Sequence, residues 1–529
     1  MVQPAPDALA DDTAVPERRV TPVERVRERM RTRPRIGRLW RWLGPALVVL
    51  LAGVLRLWNL AHPHALVFDE TYYAKDAWTL LHLGYEGSWP ADPDAAFLAG
   101  DVFSFLPEGS FVVHPPLGKW LIALGLGAFG ADSAWGWRIA LALAGTATVL
   151  VVILIGRRLT GSTLWGCVAG FLLAIDGLGI VLGRVALLDG LLALLVALAF
   201  LFLLIDRDRM QTRIAWTAGA RGAGGMPVSM GPVMWARPWL VAAGATLGAA
   251  AAVKWSGVYV LAAAGIYVVV SDALARRHAG IDGWASDAAV RQGPVSFLLL
   301  VPVAAATYLA SWSGWLLTGG GWDRSSAENP LVALWNYHEA IYRFHVGLTV
   351  EHSYASPAWQ WPLLLRPTSM FWEKVEQGTD GCDMSGGCVQ AISSVPNPLI
   401  WYAGMAAIVF LAIRLAWPGG GRVRDWRAGF VLTGVAATYV PWLLYPERTI
   451  FQFYTVVMMP FVVLALMLAL QRIAGRPDAA PERRAGGQGV VAVVLAVAVL
   501  LTVFWYPVWT ATEVPYDFWR LHNWMISWI

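Results

Sequence analysis

The sequence predicts an all-α polytopic membrane protein of about eleven transmembrane helices, with two long extracytoplasmic loops carrying short helices. Three observations predict it. Apolar runs long enough to span a bilayer recur from residue 41 to residue 508. Basic residues gather in alternate connections between those runs. Hydrophobic residues make up 57% of the 529, against 14% charged, and the mean hydropathy is +0.53, which excludes an ordinary soluble enzyme.

Residues 1–40 begin polar and pass into a basic helix bearing Arg25, Arg27, Arg29, Arg31, Arg33 and Arg35. A basic block abutting a span reads as a cytoplasmic anchor, and its place beside the membrane argues against nucleic-acid binding. No small-residue cleavage site follows the first apolar run, so no cleavable signal peptide is expected. The runs lie at about 41–60, 134–156, 162–178, 186–205, 238–253, 256–271, 295–312, 399–416, 428–445, 450–471 and 489–508. With a cytoplasmic N-terminus, the cytoplasmic connections hold Arg157 and Arg158, then Arg207, Arg209, Arg213 and Arg221. Arg276, Arg277 and Arg291 follow, then Arg422, Arg424 and Arg427, and last Arg472, Arg476, Arg483 and Arg484. This bias predicts a multi-pass protein of the plasma membrane with its active face outside. The chain then divides into the basic segment 1–40, an N-terminal transmembrane module 41–312 with outer loop 61–133, a second outer loop 313–398, and C-terminal helices with an outer tail, 399–529.

Polar points with chemical potential fall on that outer face. Val67-Phe68-Asp69-Glu70 places two adjacent carboxylates at the mouth of the first span, where a helix N-terminus would also favour acids. His114-Pro115-Pro116-Leu117-Gly118-Lys119 fixes the backbone with two prolines and offers Lys119 to an anion or to lipid headgroups. Arg184 and Asp189 open the fourth span and could pair across helices. Lys254 stands alone between two apolar runs, as a snorkelling anchor or a phosphate ligand. His352, Ser353, Tyr354 and Trp361 offer aromatic and polar groups to a sugar or an acceptor, or form an interfacial belt. Arg448 ends an outer turn, and arginine suits a phosphate by paired hydrogen bonds. Cys167 reads as a packed thiol. Cys382 and Cys388 pair if their loop faces an oxidising compartment, and their spacing argues against a zinc half-site. Carboxylates beside cations suggest general-base chemistry against an anionic leaving group. No phosphate loop, dinucleotide fingerprint or H-E-x-x-H motif is present.

Phe68-Asp69-Glu70-Thr71-Tyr72-Tyr73, the His114–Lys119 segment, Arg184 through Asp189, Val253-Lys254-Trp255, His352 through Pro357 with Trp361-Pro362, and Arg448 occur in the order found in the protein O-mannosyltransferase family, which this chain resembles from about residue 50 to 510. Loop 313–398 is too short for the β-trefoil domain of eukaryotic members and is similar to that of bacterial ones. The resemblance implies an extracytoplasmic polyprenyl-phosphate-mannose donor, Ser and Thr acceptors on unfolded exported proteins, and transfer with inversion. On that basis Asp69 is the expected base and Glu70 its support. Arg448 and Lys254, then Lys119 and Arg184, are expected at the donor phosphate, and His114, Asp189 and His352 near the sugar or acceptor. No cofactor is required by the sequence. A divalent cation is compatible with acids beside a phosphate, and no metal ligands are assigned. Work beside the protein export channel would suit unfolded acceptors. The rival readings are a related transferase acting on a glycolipid or polysaccharide, and a transporter, for which neither midplane charges nor inverted repeats are evident.

Overall fold

The computed structural model describes residues 32, 34–222, 229–417, 425–476 and 478–529. The basic residues Arg25 to Arg33, and Arg422 and Arg424, lie outside these. Fourteen helices carry the architecture: Pro34–Leu57 (α1), Glu70–Leu83 (α2), Leu117–Phe129 (α3), Ala134–Thr160 (α4), Thr163–Ala174 (α5), Leu188–Gly222 (α6), Pro238–Val253 (α7), Ser256–His278 (α8), Gly293–Ser311 (α9), Pro330–Gly347 (α10), Pro398–Ala416 (α11), Trp426–Tyr439 (α12), Met459–Ile473 (α13) and Pro481–Trp509 (α14). Eight helical segments among the described residues are long and apolar enough to cross a membrane: those of α1, α4, α6, α8, α9, α11, α12 and α14. The shorter apolar helices α5, α7 and α13 complete the set of runs read from the sequence. The protein is a multi-pass membrane protein.

Small residues let the spans approach closely. A Cβ on Gly248 of α7 would lie 2.2 Å from the Ala304 carbonyl oxygen of α9, and one on Gly244 would lie 2.6 Å from that of Leu300. Backbones this close are what small residues four apart permit between membrane helices. At the far end of the same bundle, Arg237 is buried between Asp206 and Asp272 at 2.5 and 2.6 Å.

The two long connections, 61–133 and 313–398, pack on one another. Tyr85, Val112, Trp312, Trp315, Tyr337 and Ile341 form a buried cluster between them, and the Val112 N–H donates to the Tyr337 hydroxyl at 3.0 Å. The second connection departs from the expectation of short helices alone. It carries an antiparallel hairpin, Ser369–Val375 (β1) and Cys388–Ser393 (β2), extended by Val514–Pro515 (β3) from the tail. A disulfide joins Cys382 to Cys388 at the hairpin's end, and Cys167 is buried and free.

Candidate active site

The first span delivers the chain to a strained turn. Phe68 stands at φ 52°, in the left-handed region that bulky residues avoid. His352, Phe451 and Phe453 hold its ring edge-on, with centroids 5.9, 5.5 and 5.7 Å away. Such a conformation persists only where packing over-determines it. Here it fixes how the next two side chains leave the turn.

Asp69 and Glu70 leave it in different directions. Glu70 is fully buried. Arg138, in the first turns of α4, gives it parallel hydrogen bonds of 2.9 and 2.8 Å. The Val67 and Ala186 N–H groups add bonds of 2.9 and 2.7 Å. Each carboxylate oxygen thus accepts two hydrogen bonds, and neither faces a substrate. The first N–H groups of α2, on Glu70, Thr71 and Tyr72, donate to the Val67, Phe68 and Asp69 carbonyls, and the Asp69 side chain makes no capping bond. Instead the Tyr73 hydroxyl donates to Asp69, with Lys254 and Asp189 in electrostatic reach. Burial pushes the Asp69 carboxyl up to about 6, against the pull of Lys254.

Lys254 ends α7 and bonds both oxygens of Asp189 at 2.9 Å. Its ammonium lies 3.7 Å from the Tyr454 ring centroid. Beside it opens a cleft of about 670 Å³, its mouth included, between the α7–α8 junction, α10 and residues 441–448. Lys254 and Arg448 are its cations, His114 and His345 its imidazoles, and Tyr342, Val346, Pro441 and Trp442 give it largely apolar walls. Arg448 Nη2 donates to His345 Nδ1 at 3.0 Å, while Arg448 Nε is buried without a protein partner. His114 stacks on His345 with centroids 5.4 Å apart, and its Nδ1 is likewise buried and unpartnered. Burial holds His114 well below the usual imidazole range and His345 down to about 4, with nearby cations adding to both, so the two rings are neutral near pH 7. An unspent guanidinium N–H and an unpartnered imidazole nitrogen beside two cations, under apolar walls, suit an anion that carries a hydrophobic tail.

The other expected residues lie elsewhere. Lys119 is buried against Glu86 at 2.5 Å and donates to the His114 carbonyl at 3.1 Å. Asp76 sits in electrostatic reach of this pair and is pushed up to about 7 by burial. Arg184 donates to the carbonyls of Arg56, Trp58 and Asn59, at 3.0, 2.6 and 3.0 Å, and so fastens the end of α1. It does not pair with Asp189, which Lys254 occupies. His352 is exposed against Phe68 and Phe451, close to the Asp69 turn. The Ser353 carbonyl accepts from Arg366, whose guanidinium covers the Tyr354 ring. Trp361 is buried in a small cluster with Ala358 and Ile450, and its Nε1 donates to the Ser356 carbonyl. No group of three or more His, Cys, Asp or Glu side chains among the described residues is arranged to hold a metal ion. Sequence reading missed Arg138, His345 and Tyr73 as site residues. Arg138 left a signal, a charge within an apolar run. His345 left none, since its partners are remote in sequence.

Fold and relatives together place this chain among multi-pass membrane glycosyltransferases. Residues 330–528 match the model of the C-terminal four-transmembrane region of protein O-mannosyltransferase, and 113–237 match that of dolichyl-phosphate-mannose-protein mannosyltransferase. The chain is 34% identical over 512 residues to the polyprenol-phosphate-mannose--protein mannosyltransferase of Mycolicibacterium smegmatis, covering 92% of this chain and 93% of that one. It is 34% identical over 517 residues to the protein of the same name from Mycobacterium tuberculosis, covering 93% of each. A solved structure of the S. cerevisiae protein O-mannosyltransferase Pmt1-Pmt2 complex bound to the sugar donor superposes with a TM-score of 0.69 at 14% identity, over 92% of each chain. The chain belongs to the protein O-mannosyltransferase family.

Proposed function

We propose that this protein transfers mannose from polyprenyl-phosphate-mannose to Ser or Thr hydroxyls of exported proteins, at the outer face of the plasma membrane. The observation that carries the reading is the partly buried Asp69 carboxylate in electrostatic reach of Lys254, which lines a cleft whose second cation is Arg448. The relatives' shared name supplies the donor and acceptor class. The acceptor oxygen attacks the anomeric carbon on the face opposite the phosphate. The carbon–oxygen bond to phosphate breaks, its electron pair leaves with the lipid phosphate, and Asp69 takes the hydroxyl proton. Arg448 and Lys254 offset the charge that develops on the phosphate. Glu70 holds the turn that aims Asp69. His114, with its unpartnered Nδ1, and Asp189, through Lys254, complete the donor end, while His352, Ser353 and Tyr354 border the acceptor side. Trp361 packs against Trp442 of the cleft wall and against Tyr454, with ring centroids 6.0 and 6.2 Å apart.

The alternation of basic residues and the Cys382–Cys388 disulfide favour a cytoplasmic N-terminus and an outward-facing site. Acceptors would reach that site as unfolded chains beside the export channel. The test uses membranes supplied with labelled polyprenyl-phosphate-mannose and a Ser/Thr peptide. Wild type should label the peptide, and Asp69→Asn should label none while still binding donor. Near-normal turnover by Asp69→Asn would sink the base, and label entering only glycolipid would replace the acceptor.

A further inference from the structure

We infer that His345 is a positioning residue for the donor phosphate, holding the Arg448 guanidinium in its working direction by a single tautomer. The inference rests on the donor role proposed for Arg448. A guanidinium can only donate hydrogen bonds, so the His345 Nδ1 that meets Arg448 Nη2 at 3.0 Å carries no proton. The other ring nitrogen, Nε2, lies 2.9 Å from the Val113 carbonyl oxygen and must donate to it. Only the neutral ring protonated at Nε2 satisfies both contacts.

The ring spans two loops remote in sequence. One side anchors to Val113, the residue before His114-Pro115-Pro116, and the other to the turn bearing Arg448. That turn is fastened to the end of α10 by further bonds. Thr449 N–H donates to the Leu348 carbonyl at 3.1 Å, and its hydroxyl to the Val350 carbonyl at 2.5 Å. Arg448 therefore spends Nη2 on the scaffold and keeps its buried Nε unspent at the cleft that His114 also lines. A guanidinium held in advance loses less freedom on binding than a free one. His345 need not touch the donor to act in this way.

The test is a double-mutant cycle in the full-length enzyme reconstituted in vesicles, with separate KM values for donor and acceptor peptide. Arg448→Ala should raise the donor KM. His345→Ala should raise it roughly ten- to 150-fold, as expected for loss of a charge-assisted hydrogen bond, and leave the acceptor KM unchanged. The double variant should be no worse than Arg448→Ala alone. His345→Asn, which keeps an acceptor atom near the Nδ1 position, should recover most of the loss, and it carries the cycle if the alanine variant does not fold. Additive effects, or an equal rise in both KM values, would overturn the role of His345 while leaving Arg448 in place. An unchanged donor KM in Arg448→Ala would remove both.

Discussion

At the scale of the residue, the base proposed above is one aspartate held partly out of water. Asp69 is pushed up to about 6 by burial, so it is ionised and able to accept a proton near pH 7. Below about pH 6, kcat/KM should fall by about tenfold per pH unit, and a pH–rate profile checks it. The sign for stability is opposite to that of a paired acid. The folded protein holds the Asp69 proton more tightly than the unfolded chain does, so stability is lost as pH rises from about 4 to about 6 and stays lost above that. Asp69→Asn should therefore be at least as stable as wild type at pH 8. Its advantage should shrink between pH 6 and pH 4, as compared by melting temperature at the two ends. A buried charged residue whose loss does not harm the fold is the pattern expected of a group placed for chemistry.

At the scale of the element, neighbouring residues on a helix diverge by about 100°, and the start of α2 uses this to divide two carboxylates. Glu70 turns inward to Arg138 and ties α2, α4 and the segment before α6 into one corner. Arg138→Ala would leave a fully buried carboxylate without its cation, a loss of about 3–5 kcal/mol. The expected outcome is a sharp fall in melting temperature in detergent, with Arg138→Lys recovering only part of it because the paired geometry is lost. The spans were legible because hydrophobic runs of membrane length need no tertiary information. Asp69 and Arg448 were legible as polar groups out of place. The partners of Glu70, Lys119 and Arg184 were not, because buried charges choose partners by three-dimensional proximity: Glu70 and Arg138 are 68 residues apart. The β1–β2 hairpin escaped for another reason. Its strands are short, and their pairing depends on the fold around them.

At the scale of the whole molecule, charge separates along the bundle. Buried Arg237, between Asp206 and Asp272, sits at one end, and the cleft with Lys254 and Arg448 at the other. If the cleft end faces outward, a single cysteine replacing exposed Asp101 should react with an impermeant maleimide on intact cells. One replacing exposed Asp282 should react only after the membrane is opened, and the reverse pattern would invert the topology. The cleft itself has a practical consequence for anyone isolating the protein. Cations beneath apolar walls form a trap for amphiphiles with anionic heads. Cholate and acidic phospholipids carried through purification should occupy it as pseudo-substrates. Preparations made in them would look inert until exchanged into neutral maltoside, so the first check on a dead preparation is its detergent.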